Sequence, residues 1–251
     1  MGIGTGDLLV VLDEVDSTNR VALERAAAGA PHGLTVVARR QTAGRGRQGR
    51  SWRSGDGALT LSVVVRGTPV DGLLPLRAGL AVARTVGPSA RVKWPNDVLV
   101  EGRKVAGILV EQVGDRVGGG AQGGAADDGE PGGGPVAVVG IGVNVAVDVS
   151  SWPPEIAARA GSLGCSADQV DAVRDQLLVE LTDALSLDAP TIVALLAARD
   201  ALAARAISWS AADGGGRRDG HAEGIEADGR LRVRLPDGEL LHLTGGEVHL
   251  L

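Results

Sequence analysis

The chain has 251 residues, with 31 acidic against 25 basic side chains and a formal net charge of −6, a balance that argues against a general nucleic-acid or membrane-surface binder. Its single cysteine, Cys165, excludes an intrachain disulfide and a cysteine-built zinc cluster, and His32, His221, His242 and His249 show no ligand spacing. There is no Phe or Tyr, so Val, Leu, Ile and Ala must build the core, leaving Trp52, Trp94, Trp152 and Trp209 as the only aromatic rings.

Leu8 to Leu12 is a short apolar run predicted as a strand, and Asp16 or Ser17 is placed to cap a helix running to Ala28, closed by Gly29 and Pro31. Leu34 to Ala38 reads as a buried strand. It leads into Arg39 to Arg53, where six arginines stand among three glycines with no acid before Asp56. Like charges repel and glycine carries the largest backbone entropy, so this run is expected to stay disordered until an anionic ligand orders it. Its Gly44-x-Gly46-x-x-Gly49 spacing matches the dinucleotide fingerprint, but the context fails: a Rossmann turn opens a helix, whereas Ser51 to Gly57 is turn chemistry and Leu59 to Val65 a strand. An arginine-glycine nucleic-acid segment and a solvated loop are the other readings of the run alone.

Leu76 to Val86 has helical spacing ended by Gly87-Pro88, and Val92 to Trp94 is a strand stopped by Pro95, which has no N–H for a ladder. Val98 to Val100 and Lys104 to Gln112 form a hairpin about Glu101-Gly102-Arg103. Gly114 to Pro135 is glycine-rich and nearly devoid of large apolar side chains, so it is expected to be a disordered hairpin tip. Val136 to Val147 resumes as a long apolar strand in which Gly140 and Gly142 mark a close approach of backbone or ligand. Asp168 to Leu187 and Thr191 to Leu202 are amphipathic helices. From Ile207 onward, the segments Ala222 to Ile225, Leu231 to Leu235, Leu240 to Leu243 and Glu247 to Leu250 read as a small β-barrel. The expectation is an α+β chain with a catalytic domain over residues 1–203 and a β appendix over 204–251. Its N-terminus has no basic region followed by a long apolar run, and Gly6 stands where a myristoylation signal needs Ser or Thr, so the cytoplasm is the expected compartment.

Four more segments carry polar density at strand ends. In Asp16-Ser17-Thr18-Asn19, hydroxyls and helix-start amides suit a small polar group, or simply a helix cap. Lys93-Trp94-Pro95-Asn96-Asp97 brackets a strand-breaking proline with a lysine, an amide and a carboxylate. Trp52 and Trp94 adjoin these motifs, which suggests ring surface kept for a ligand, although a core plug is the commoner fate. Lys104 enters an apolar strand, so it needs an anionic partner unless it snorkels. In Gly140-Ile141-Gly142-Val143-Asn144 a side-chain amide interrupts a β-branched run.

Ser17-Thr18-Asn19, Gln41-Thr42-Ala43-Gly44-Arg45-Gly46-Arg47 through Trp52, Lys93 to Asp97, Arg103 to Glu111, and Gly140 to Asn144 together resemble the biotin protein ligase family. Gly224-Ile225, Asp228-Gly229 with Leu231, and Gly246-Glu247-Val248 are similar to that family's small SH3-like barrel. The resemblance implies a mixed β-sheet catalytic domain of the class II synthetase/biotin-lipoate ligase type, followed by the barrel. It implies two steps: biotin and MgATP give biotinyl-adenylate, and a lysine of a biotin carboxyl carrier protein of an acyl-CoA carboxylase then takes the biotinyl group. Arg47 and Lys104 are expected at the biotin carboxylate and α-phosphate. Ser17, Thr18, Asn19, Gln41 and the backbone of Gly44 and Arg45 are expected on the ureido ring, with Arg45 also near the adenylate. Gly107 and Gly142 leave room for the ligand and Trp52 closes over it. Lys93 and Asn96 fall at the anionic end, and Asn144 near the triphosphate and its Mg²⁺, the protein alone supplying no metal site. Asp97 either orients or deprotonates the carrier lysine, or holds Lys93 or Lys104.

Ligases of this kind often pair as homodimers through the sheet. About seven residues precede the first strand, so the family's DNA-binding winged helix and DNA repression are not expected. A lipoate or octanoate transferase shares the fold but would not be expected to combine the Gly-Arg-Gly-Arg loop with Lys-Trp-Pro-Asn-Asp. Lys104 argues against two further rivals, a silent ligand sensor and an RNA binder, the latter also wanting exposed aromatics and a wider basic face.

Overall fold

The computed structural model describes residues 3–4, 6–114, 134–210 and 216–251. Its first sheet has seven strands in the order β1 (Leu9–Val15), β2 (Thr35–Gln41), β3 (Ala58–Arg66), β7 (Val136–Asn144), β6 (Arg103–Gln112), β5 (Asp97–Val100) and β4 (Arg91–Lys93). Only β1 and β2 run parallel, joined by helix α1 (Thr18–Ala27); every other neighbour is antiparallel. Helices α2 (Leu73–Val86), α4 (Val170–Ser186) and α5 (Ala189–Ala197) belong to the main core, and the short α3 (Pro154–Ala157) lies between β7 and α4.

Strand alternation sorts the two faces. On β3, Leu59, Leu61, Val63 and Val65 join the large core with α2 and α4, while Val64 packs in a smaller cluster with Ala22 and Ala26 of α1. Thr60 and Ser62 therefore share the α1 face. On β7, Ala137, Val139, Ile141 and Val143 enter the main core, which leaves Gly140, Gly142 and Asn144 on the same face as α1. One side of the sheet is thus a conventional aliphatic core, and the other keeps small and polar groups between β3, β7 and β6.

Several boundaries differ from those expected, each for a local reason. Helix α2 begins at Leu73 because Asp71 Oδ1 accepts from the amides of Leu73 and Leu74 at 3.0 and 3.2 Å. Helix α5 begins early because the Asp188 carboxylate caps Thr191, and ends at Ala197 because the chain turns to bond β4, through Val92 N to Arg199 O and Ala201 N to Val92 O. Strand β7 stops at Asn144 rather than Val147, and the following Ala146 amide bonds Gly57 instead. Ser17 occupies the N-cap of α1, yet its hydroxyl makes no capping bond. The glycine-rich tip expected to be disordered falls almost wholly outside the described residues.

The C-terminal sheet contains β8 (Ala206–Ser210), β9 (Arg217–Ile225), β10 (Leu231–Arg234), β11 (Leu240–Leu243) and β12 (Glu247–Leu250), in the order β11-β10-β9-β8-β12. All pairings are antiparallel, but β11 and β12 are edges, so among the described residues the expected barrel is an unclosed five-stranded sheet. It joins the rest of the molecule through Trp94, which is 2% exposed and donates Nε1–H to Gly229 O at 2.9 Å. Gly72, at the start of α2, abuts Asp228 and Gly229 so closely that no Cβ would fit. Trp94 is therefore a plug between the two sheets, the commoner of the two fates open to such a ring.

Candidate active site

The arginine run folds as a small hairpin. Thr42 and Ala43 amides bond the carbonyls of Val15 and Asp16, the Trp52 amide bonds Gly44 O at 2.8 Å, and the Gly46 amide bonds Arg50 O at 2.7 Å. Charge repulsion is relieved by acceptors from distant elements: Arg40 pairs with Glu14, Arg45 with Glu111 at 3.2 Å, Arg50 with Glu247, and Arg47 donates to Asn96 Oδ1 at 2.9 Å. In this fold the run therefore has bonding partners drawn from distant elements.

The hairpin forms one wall of a cleft of about 950 Å³, measured to its open mouth. Every candidate residue from the sequence lines this cleft except Gly44 and Asn144. Gly44 sits behind the wall, where a Cβ would strike the Trp52 carbonyl. Asn144 is buried next to the cleft face; its Nδ2 donates to Gly161 O at 2.9 Å, while Oδ1 has no partner.

The cleft floor is made by glycines. A Cβ on Gly142 would run into the Trp52 indole, and one on Gly107 would lie 3.0 Å from its Cζ3. Trp52 thus lies in the slot between β6 and β7. Its Nε1 is buried without a partner, and Lys104 Nζ stands 5.6 Å from the ring centroid.

Cations gather at one end through strand register. Lys93 pairs with Asp97 across β4 and β5, and Asp97 pairs with Gly107 across β5 and β6. Lys104 Nζ lies 2.6 Å from Asp97 Oδ1, which supplies the anionic partner the lysine required. Asn96 is fixed by Nδ2 on Ile108 O at 3.0 Å, leaving Oδ1 for Arg47. Burial pushes the Lys93 ammonium below its ordinary value, with Asp97 opposing and Lys104 adding to the shift. Burial likewise lowers the Arg47 guanidinium, Asp97 opposing. Cations that burial makes costly are the groups that gain most from an anionic ligand. Lys93 and Lys104 are, moreover, the only lysines in the chain.

At the opposite end the wall is polar, its one cation, Arg45, balanced by Glu111. Gln41 Oε1 accepts from the Thr18 amide at 2.8 Å and lies 3.1 Å from the Thr18 hydroxyl, and Ser62 Oγ lies 2.8 Å from Thr18 Oγ1. Asn19, 4% exposed, is engaged by the protein at both ends of its amide. Ser62 went unnamed at the level of sequence, and Arg50, Glu111 and Glu247, though inside segments singled out there, were given no role of their own. Ser62 carried a signal in its hydroxyl, on the polar phase of an otherwise apolar strand.

A pocket with cations at one end and neutral hydrogen-bonding groups at the other suits joining two anions, one of them on a small polar molecule. The class follows from comparison: the Biotin/lipoate A/B protein ligase family matches residues 11–124, and the Biotin protein ligase C terminal domain matches residues 212–251. The biotin–[acetyl-CoA-carboxylase] ligase of Mycobacterium tuberculosis is 36% identical over 256 residues, 95% of this chain and 79% of that one. The enzyme of that name from Paracoccus denitrificans is 41% identical over 54% of each chain. Among solved structures, the biotin protein ligase from Aquifex aeolicus in complex with biotin and ATP superposes with a TM-score of 0.77 at 26% identity, covering 98% of this chain and 99% of that one. The chain belongs to the biotin protein ligase family.

Proposed function

We propose that the protein activates biotin with ATP and transfers the biotinyl group to a lysine on the carrier domain of an acyl-CoA carboxylase. The observation that carries this reading is the cation cluster of Arg47, Lys93 and Lys104 beside the glycine-floored slot. In the first step a carboxylate oxygen of biotin attacks the α-phosphorus, and pyrophosphate departs. Lys104 and Arg47 neutralise the charge gathered there, and Lys93 and Asn96 face the same end. In the second step the neutral carrier amine attacks the acyl carbon, AMP leaves, and the amine loses a proton. Asp97 serves chiefly to hold Lys104 in place, by their 2.6 Å contact. Ser17, Thr18, Gln41 and the backbone at Gly44 and Arg45 are assigned to the ureido ring, with Asn19 bracing them.

Among the described residues no three His, Cys, Asp or Glu side chains group as metal ligands, so Mg²⁺ fits as an ion carried on the triphosphate. The buried, unpartnered Asn144 Oδ1 is the oxygen we assign to its neighbourhood. Bound there, Mg²⁺ would offset the charge of the pyrophosphate leaving group. We divide the chain into a catalytic unit over 1–203 and a C-terminal unit over 204–251. The cytoplasm, where ATP and a carboxylase meet, is the assigned compartment; no described helix is long and apolar enough to cross a membrane. A homodimer through the exposed edge strand β1 is the expected assembly, and light scattering checks it. Mixing the protein with biotin, ATP and a carrier domain should add one biotinyl group to the carrier by mass. Ligand binding without any mass gain would replace this reading with a ligand sensor.

A further inference from the structure

The polar wall beside α1 closes on itself. It starts at Gln41, whose Oε1 holds Thr18, passes through Ser62 to Asn19 Oδ1 at 2.5 Å, and continues from Asn19 Nδ2 to Glu111 Oε2 at 2.8 Å. Glu111 Oε1 then meets Arg45 Nη2 at 3.2 Å. Gln41 and Arg45 belong to the same short stretch, at the root of the arginine hairpin, so the relay returns to the segment it left. Gly140 makes this possible, because any Cβ there would overlap the Asn19 amide.

The relay has a direction, set mainly by Glu111 and more weakly by the Leu109 carbonyl, which lies 3.4 Å from Asn19 Nδ2. A carboxylate only accepts hydrogen bonds. Glu111 therefore favours the Asn19 orientation that presents Nδ2 to it, which turns Oδ1 toward Ser62 and draws the serine hydroxyl hydrogen there, leaving the Thr18 hydroxyl to donate to Ser62 Oγ while Gln41 Oε1 accepts from the Thr18 amide. Glu111 does not itself line the cleft, whereas Thr18, Asn19, Gln41 and Arg45 all do. A glutamine in its place could donate as well as accept, so the orientation of Asn19 would rest on the longer 3.4 Å contact of Nδ2 with Leu109 O alone, and Arg45 would lose its counter-charge.

We propose that Glu111 is a positioning residue for ligand recognition: its charge locks this ring and thereby fixes the hairpin root and the hydrogen-bonding groups it presents to the cleft. The proposal rests on reading the cleft as the biotin site. The experiment compares wild type with E111Q by hydrogen exchange of the ligand-free protein and by the kinetics of biotin-dependent pyrophosphate release. Exchange at the Thr42 and Ala43 amides should quicken at least fivefold in E111Q. The KM for biotin should rise about tenfold, with kcat and the KM for ATP changed less than threefold, a split that general destabilisation would not produce. E111Q made in an R45A background should raise the biotin KM less than twofold further. Unchanged exchange together with a biotin KM within twofold of wild type overturns the proposal. If wild type releases no pyrophosphate with biotin, the reading of the site fails, while the exchange comparison still tests the ring. Should E111Q fold poorly, S62A opens the same ring by deleting one hydroxyl, and unaltered exchange in that variant counts against it equally.

Discussion

Asp97→Asn removes the acid that pairs with Lys104 among the described residues while keeping the side chain's shape. Asp97 also acts on Arg47 and Lys93, favouring the charged form of each, so the substitution leaves three cations without the carboxylate among them. The Lys104 and Asp97 side chains are 35% and 21% exposed, which puts the pair between a surface and a buried one. Exposed pairs contribute roughly 0–1 kcal/mol and breaking buried ones costs roughly 3–5, so a loss of about 2 kcal/mol is expected here. Urea unfolding at low salt measures that loss. Because the deficit is one of missing negative charge, saturating ATP should narrow the gap between variant and wild type, and added sulfate should do so partially. Adenylate formation, followed by pyrophosphate release, should slow by about tenfold or more, since about 1.4 kcal/mol of misplaced binding suffices for that factor. A variant within about 0.5 kcal/mol of wild type and within threefold in rate would show that Asp97 neither holds Lys104 nor balances the cluster.

The burial-lowered pKa of Lys93 gives a pH dependence of defined sign. The unfolded chain, where the ammonium titrates near 10.5, binds that proton more tightly than the folded one, so stability rises as pH climbs from the folded value toward 10.5. Lys93→Met should therefore be the more stable protein at pH 7 and show a flatter profile in that window, measured by urea unfolding; with only two lysines and no tyrosine, little else titrates there. Gly142→Val should displace Trp52 from the slot and abolish biotin binding by calorimetry while the fold survives by circular dichroism; retained affinity would refute the slot. Trp94→Phe deletes the bond to Gly229 O and leaves a buried carbonyl unpaired, costing about 1–3 kcal/mol in thermal or urea unfolding.

Motifs that serve chemistry were legible in the sequence because they break the rules of their elements. Lysine in an apolar strand, paired glycines in a β-branched one and arginines packed among glycines all demand an outside reason. The bracing roles were not legible, since Glu111 and Glu247, though inside segments that resemble the family, each pass for an ordinary solvated acid by local spacing. What distinguishes them is a contact across the fold, Glu247 meeting Arg50 from far along the chain, and local spacing carries no trace of it. The acids that meet the arginine hairpin, and the second sheet that meets the Trp94 ring, are likewise invisible to local spacing, because only the assembled chain brings them near.

Strand β7 ties these observations together. Its residues alternate between faces, so Gly140, Gly142 and Asn144 meet three different neighbours at successive steps along one side. Gly140 admits Asn19 and hence the ring through Glu111; Gly142 admits Trp52; and Asn144 grips the carbonyl of Gly161. The spaces are complementary, in that each glycine is missing a Cβ where another element has placed a side chain. A shift of one residue in the pairing of β7 would bring Ile141 and Val143 under α1 and the hairpin, filling the cleft and exposing the glycines to the aliphatic core. Register is fixed by the core on the other face, where Val139, Ile141 and Val143 must stay buried. The geometry of the polar site is therefore set by apolar packing on the opposite side of the same strand, and the polar groups need only settle into the positions that packing leaves them.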